Sequence, residues 1–507
     1  MGLNEEVSVS IASAPKTVAL QDMGMQLIVG PDVIPGAQRT VQIPIANGGD
    51  PAATAAAYLV GGSASTIYAK VKAAFSQSTS PNGAPGNIKL GAMGGAAGAT
   101  AAVLDNAGTG GAWTSGSITA FLNGVLVTQA YGSSIAATMG LFATALQTAL
   151  RALTSGDTTS AVDYGVTTAH TLTIVPKAGV SVFIGLTVTK GTTDTYAVGA
   201  PSYTSPEAYA DALTRISIAD DSWYQLTIES ILTADILAVS NWVQANQSPK
   251  FFFYKSADTN ILNTTPAVDA ALAGSGTIAA QVLTTKAKRT AAFFSGLGLH
   301  LDSSIAGYIA GFQPGYYNVA YTQPDGSMTP DNLTQTQEDN ARGYYGLVNG
   351  LDAFTHGKDV NTLEAVAGYN IIRWGTCQDG ASWIDAVIFQ DYLVGALQAA
   401  VYGVLINNPK VPYDINGFAM LRAAMESVFK PLVSLPGVTR PITAYAEDVN
   451  KNQIGGYLIT FPSFTDPTSP NGYVSSTDRL NRVLNNLKWE CWYSGAINSI
   501  HMTGIIS

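Results

Sequence analysis

Residues 222–256 read "SWYQLTIESILTADILAVSNWVQANQSPKFFFYKS". SWYQLTIES and KFFFYKS are short runs rich in aromatic and β-branched residues and read as strands; TADILAVSNWVQAN between them reads as a helix. The same rhythm extends both ways. Upstream lies the helix SPEAYADALTRI, and downstream the helix SGTIAAQVLTTKAK and the strand RTAAFFS. Alternation at this spacing implies a largely parallel or mixed sheet with covering helices, an α/β class with α+β mixing.

Other segments attach to this centre. ASTIYAKVKAAF, within a helical stretch at 50–80, places Ile67, Val71, Ala74 and Phe75 on one stripe, and a loop and short strand follow in SPNGAPGNIKLG. A helix is expected around 383–406. Residues 392–406 carry no charge, yet as a helix they span only roughly 22 Å against about 30 Å of hydrocarbon. With Asp385, Asp391 and Gln398 nearby, this is expected as a buried core helix. INGFAMLRAAMESVFKP gives another helix, with Phe418, Leu421, Met425 and Val428 as its stripe and Pro431 as its stop.

Between about 91 and 202 the composition shifts to Gly, Ala, Thr and Ser, which marks a separate unit. SITAFLNGVLVTQAY reads as a hairpin turning at Asn123-Gly124. MGLFATALQTALRAL follows as a helix with Leu141, Ala145, Leu146, Leu150 and Leu153 inward, and HTLTIVPKAGVSVFIGLTVT returns to strands. A small ββαβ-type insertion is the economical reading. The division expected is 1–20 as an N-terminal strand, 21–90 with 203–487 as the core, 91–202 as the insertion, and 488–507 as C-terminal strands.

The chain has 507 residues, 47% hydrophobic and only 12% charged, enough to bury large cores and to leave much of its surface neutral. A formal charge of −10 argues against nucleic-acid and anionic-membrane partners. The one basic cluster, Lys286, Lys288 and Arg289, is expected at a helix C-terminus, where the dipole favours cations. Cys377 and Cys491, 114 positions apart, form no metal or disulfide framework and suit a reducing compartment. The start, MGLNEEVSVS, lacks the pattern of a secretory signal.

Candidate chemistry is sparse. His170, His300, His356 and His501 include no pair at metal-ligand spacing. GAMGGAAG at 91–98 follows a strand but has Met93 where a dinucleotide fingerprint needs glycine, and reads as a flexible linker. Asp448, Asn450 and Asn452 mimic a calcium loop, but Gln453 and Ile459 replace its Gly and Glu, which leaves a hairpin turn. Asp220 and Asp221 are adjacent, so their side chains point apart and suit turn and cap chemistry. No catalytic, cofactor-binding or metal-binding residue is expected.

The two ends of the sequence are strand-like. EEVSVSIAS alternates Val7, Val9 and Ile11 with small residues. In KWECWYSGAINSIHMTGIIS, residues 488–507, Trp489, Cys491 and Tyr493 share one face until Gly495 breaks the run. Beyond it Ala496, Ile500, Met502 and Ile506 share a face, and Ile497 and Ile505 lie on the other. Such strands either pair in the chain's own sheet, the usual case, or are donated to another molecule's sheet.

Taken in order, several segments resemble the contractile tail sheath proteins of myophages. They are ASTIYAKVKAAFSQSTSP, with Tyr68, Phe75, Ser76 and Gln77; DDSWYQLTI, with Asp221, Trp223 and Tyr224; and RTAAFFS. NPKVPYDINGF follows, with Lys410, Pro412, Asp414 and Gly417, then STDRLNR, with Asp478, Arg479 and Arg482, and finally SGAINSIHMTGII. Asp414 directly after Tyr413 departs from the family's pattern, and NARGYYG matches it only loosely. The resemblance implies a sheath-type core and a non-enzymatic subunit of the virion, assembled in the host cytoplasm. It also implies stacked six-fold rings around a tail tube protein, contacts with baseplate and tail terminator proteins, and no nucleic-acid or membrane insertion. The terminal segments, Val7, Val9 and Ile11 and Ala496 to Ile506, become arms donated to neighbouring subunits. The rival readings are another virion structural protein, or a surface adhesin whose β-rich insertion binds; a cell-wall hydrolase would require a carboxylate pair that is not found.

Overall fold

The computed structural model describes residues 22–33, 39–44, 51–59, 62–77, 85–95, 99–104, 112–123, 125–165, 171–177, 180, 182–203, 206–324, 328–348, 351–435, 439–447 and 453–496. Val7, Val9 and Ile11, and Ile497, Ile500, Met502, Ile505 and Ile506, lie outside these, as do His170, His501, Asp448, Asn450 and Asn452.

Eight strands form the main sheet: β1 Gln26–Gly30, β2 Thr40–Pro44, β3 Asn87–Ala92, β4 Gln225–Ile228, β5 Phe251–Ser256, β6 Thr290–Phe294, β7 Val360–Val366 and β8 Tyr369–Arg373. Their spatial order is β8-β7-β6-β5-β4-β1-β3-β2. The six inner strands are parallel, while β2 and β8 run antiparallel at the edges. The mixed sheet expected from the strand–helix rhythm is therefore present, with β4, β5 and β6 inside the three segments read as strands.

Parallel strands buried on both faces need apolar residues at every position. The FFFY run shows it: Phe252 and Tyr254 join one core cluster, Phe251 and Phe253 the other, and all four are buried. Each such ring contributes about 1.5–3 kcal/mol by leaving water. The first face is covered by α2 Tyr209–Ala219, α3 Thr233–Ala245 and α4 Ile278–Thr284, through Leu213, Ile216, Ile236, Val239 and Val282. The second is covered by α5 Leu301–Ala310 and the first half of α6 Ile384–Asn407. Over β1 to β3 lies α1 Thr66–Phe75, which buries Ile67, Val71 and Ala74 as its stripe predicts, together with Lys70. It meets α5 so closely that a Cβ at Gly307 would collide with the Ala74 carbonyl.

Helix α6 is longer than the charge-free run, 24 residues from Ile384 to Asn407, about 36 Å. By length and composition it could cross a bilayer, but 61% of its most apolar window is buried inside the protein. Its first half packs on the sheet; its second half meets α7 Ile415–Phe429, whose Phe418, Leu421 and Met425 are buried while Phe429 replaces Val428 as the last inward residue.

Between β3 and α2 the chain builds two small sheets around one helix. Gly116–Leu122 lies between Val125–Ala130 and Ile184–Lys190, and the four-stranded sheet orders Ala197–Tyr203, Ala99–Leu104, Thr171–Val175 and Ala161–Gly165. The hairpin turns where expected: Leu122 pairs with Val125, and Asn123 takes φ +46°. The arrangement is larger than ββαβ. The helix, Ile135–Ala152, buries Met139, Phe142, Ala143, Leu146 and Leu150, whereas Leu141 is exposed. The larger Phe142 sets the inward face, one residue round from the stripe expected.

Only Lys286 of the basic cluster lies at a helix end. Lys286 follows the end of α4 at φ +54°, Lys288 donates to Gln390, and Arg289 stands just before β6 with its guanidinium buried. Arg289 Nε and Nη2 grip both oxygens of Asp391 in α6 at 2.8 and 2.5 Å, and Tyr224 Oη, from the residue before β4, donates to the same carboxylate at 2.9 Å. Arg289→Met should leave Asp391 buried without its cation and cost about 3–5 kcal/mol, read as a lowered denaturation midpoint, whereas pairing it with Asp391→Leu should restore most of the loss.

Candidate functional site

In a doubly wound sheet ligands sit where successive connections leave in opposite directions. Here that point lies between the carboxyl ends of β1, whose chain moves on to β3, and β4, whose chain moves on to β5. The crevice is filled by the protein itself. A Cβ at Gly30 would collide with the Glu229 carboxylate and lie 2.7 Å from Ile67 Cδ1. Tyr209 Oη closes the other side by accepting from Ser230 N at 3.2 Å. Burial, then the charge of Asp32, raises the Glu229 carboxyl. Close by, Lys70 and Asp302 form a buried ion pair between α1 and α5.

Nor do the acidic neighbours converge. Asp220 accepts from Lys89 Nζ at 2.6 Å, from Ser222 Oγ at 2.5 Å and from Thr40 Oγ1 at 2.9 Å. Burial pushes its carboxyl up, but these donors prevail and bring it to about 2. Asp221 faces Lys250 at 2.9 Å. Lys250 is buried 4.1 Å from the centre of the Trp223 ring, and burial lowers its ammonium to about 8. His356 Nδ1 lies 2.8 Å from Asp359, the bond that raises its pKa, and His300 stands at the start of α5. Among the described residues no group of three or more His, Cys, Asp or Glu is placed to hold a metal. Cys377 is buried and Cys491 half-buried, both as free thiols.

The residues that carry the sheath resemblance hold elements together. Gln77 is buried at the end of α1 and donates to Ala73 O and Ser304 Oγ, both at 2.8 Å. Trp223 stacks near Trp242, and Tyr224 reaches Asp391. Asp414 caps α7 by accepting from Asn416 N and Gly417 N; a Cβ at Gly417 would strike the Pro412 carbonyl, so glycine is required there. Asp478 closes a capping box with Ser475, Arg479 lies 5.6 Å from the Phe464 ring, and Arg482 ends that turn at φ +57°.

Two further places are marked by the sequence. The first is the neck of residues 91–202. Residues 93–95, expected as a flexible linker, are buried and paired instead: Gly95 bridges to Val182 and to Pro206. Glu207 takes Arg39 and Arg215 together and accepts from Gly94 N at 2.7 Å; Arg39 lies 4.4 Å from the Phe183 ring. Phe183 packs into the core cluster of β1 to β3. A flexible linker was expected because glycine marks freedom; here it marks close backbone approach.

The second is the C-terminal exit. Lys488–Cys491 pairs antiparallel with Tyr457–Thr460 on the same chain, Cys491 opposite Tyr457. Tyr493 stacks on Phe389, ring centres 5.2 Å apart, and its Oη donates to Asp385 at 2.5 Å. Ser494 N donates to Pro441 O at 2.8 Å. Ala496, exposed, is the last residue described. At the sheet edges, Ile372 of β8 exchanges backbone bonds with Tyr321 and Thr322, while no strand among the described residues pairs with the outer side of β2.

No protein-family model matches the chain, and no curated protein does. Among the solved structures it resembles is one described as the cryo-EM structure of the anti-feeding prophage (AFP) baseplate, 6-fold symmetrised, with TM-score 0.38 and 12% identity, covering 61% of this chain and 76% of that one.

His300 supplies a pH test of the packing at α5. Burial holds its imidazole at about 4, below the usual 6.5. Between those values the unfolded chain binds a proton that the folded chain refuses, so stability should fall as pH falls through this window. Denaturant titrations at pH 7 and pH 4.5 should show a smaller loss for His300→Gln than for the parent.

Proposed function

We propose that the chain is a structural subunit of a contractile tail sheath, polymerising as stacked six-fold rings around a tail tube and contracting to drive that tube through a host envelope. The ordered series of sheath-like segments supports this reading, and the C-terminal exit carries it. The strand Lys488–Cys491 already has its partner, and Tyr493 and Ser494 are tied down. The next segment, AINSIHMTGIIS, has no Lys, Arg, Asp or Glu. An alternating apolar segment after a satisfied strand suits donation to a neighbouring copy, for which the outer side of β2 offers an edge. In this reading Val7, Val9 and Ile11 form the N-terminal arm. Residues 21–90 and 203–487, with the end of β3 as far as Ala92, are the core, and the rest of 91–202 protrudes from it, held by the Glu207 neck.

Contraction then needs no active site. Cores rotate and slide from a trapped extended lattice into a tighter one while the arms keep copies linked. Removing residues 496–507, or Ile500→Pro, should leave far-UV spectrum and melting unchanged while abolishing polymer in sedimentation. A truncated chain that loses cooperative melting contradicts donation, since the segment would then complete its own fold. Excising 96–202 with a Gly/Ser bridge should leave polymerisation intact, with stability reduced by about 1.5–3 kcal/mol for the lost Phe183 ring; a folded, monomeric product would place the insertion in the lattice contacts.

A further inference from the structure

A cleft of ≈ 560 Å³ opens beside β7 and β8, where they meet the helix Gln335–Ala341 and the hairpin that begins at Gly343. Its lining is mainly polar. Two of its walls, Tyr321 and Trp374, have positive φ, +64° and +75°. Bulky side chains rarely adopt that conformation, and the strain persists where surroundings impose it, commonly at binding sites. Among the described residues they are the only aromatic residues at positive φ, and both line this one cleft.

The Arg373 guanidinium lies between them, its carbon 6.0 Å from the Tyr321 ring centre and 5.7 Å from that of Trp374. It makes no hydrogen bond among the described residues, and its nearest carboxylate, Glu364, stands 3.7 Å from Nε. Arg342, by contrast, is fully engaged, with Glu338 at 2.7 Å, Glu364 at 2.9 Å and Gly343 O at 2.7 Å. Arg373 thus lines the cleft, 22% exposed, with a planar fork of donors not committed to a hydrogen bond.

The charges choose the ligand class. Two guanidinium groups stand against Asp331, Glu338 and Glu364, so an anion meets a net negative wall, while a cation meets Arg373. A neutral polyhydroxyl ligand meets neither penalty, because hydroxyls accept from Arg373 and donate to Glu338 and Asp331. A pyranose also presents an apolar C–H face, and the rings of Tyr321 and Tyr344, 45% and 43% exposed, offer it apolar surface in the cleft.

We propose that this cleft binds a neutral saccharide, with Arg373 donating to its hydroxyls and the tyrosine rings covering its apolar face. The full chain is titrated, by saturation-transfer NMR, with glucose, galactose, mannose and N-acetylglucosamine and with disaccharides of each, and in parallel with succinate and lysine. At least one sugar should bind saturably and weaken about tenfold or more in Arg373→Ala and in Tyr344→Ala. Tyr344→Ala changes an exposed ring, so it decides the matter if Arg373→Ala melts early. The proposal is overturned if no sugar saturates, if sugar binding ignores Tyr344→Ala, or if only succinate or only lysine binds.

Discussion

The buried grip of Arg289 on Asp391 is the joint through which two halves of the chain become one body. Arg289 stands just before β6, Tyr224 just before β4 and Asp391 lies in α6, so the carboxylate ties the sheet's centre to the helix. Much of the C-terminal region packs on that helix. Its second half packs against α7, Phe389 stacks on Tyr493, and Asp385 holds the Tyr493 hydroxyl. The satisfied, bidentate pairing makes the burial of two charges affordable; either alone would cost several kcal/mol. Through Tyr493 the chain is tied to this helix three residues before Ala496.

The chain has few charges and spends many of them inside. Lys70 with Asp302, Arg39 with Glu207, Lys358 with Asp269 and Arg342 with Glu364 are all buried pairs that join elements distant in sequence. Asn361 does similar work without charge, its amide bonded to Ala292 O and Thr376 O at 3.0 Å and to Gly375 N at 2.7 Å. The outer surface is left comparatively neutral. The Glu207 neck extends the same logic, fixing residues 91–202 to the core through buried charge and the Phe183 ring.

Local periodicity made the centre of the fold legible. The strands around Trp223, Phe252 and Ala292 and the stripe Ile67, Val71 and Ala74 lie where alternation and helical spacing place them. What escaped was set by contacts across long separations. Lys286, Lys288 and Arg289 look like a helix-end patch because Asp391 stands 102 positions away. Gly94 and Gly95 look like a hinge because Val182 and Pro206 are remote. The face of Ile135–Ala152 was missed by one residue because leucines at 141 and 153 weigh as much in a pattern as Phe142 and Met139. The cleft at Arg373 has no local signature; Tyr321 and Trp374 reveal it only through their backbone angles.

Electron microscopy of the purified full-length chain tests the central claim most directly. Donation of terminal segments between copies predicts hollow tubes of uniform diameter with six-fold symmetry in cross-section. Dispersed particles of single-chain size, at concentrations and salt conditions where the chain is folded, would contradict it.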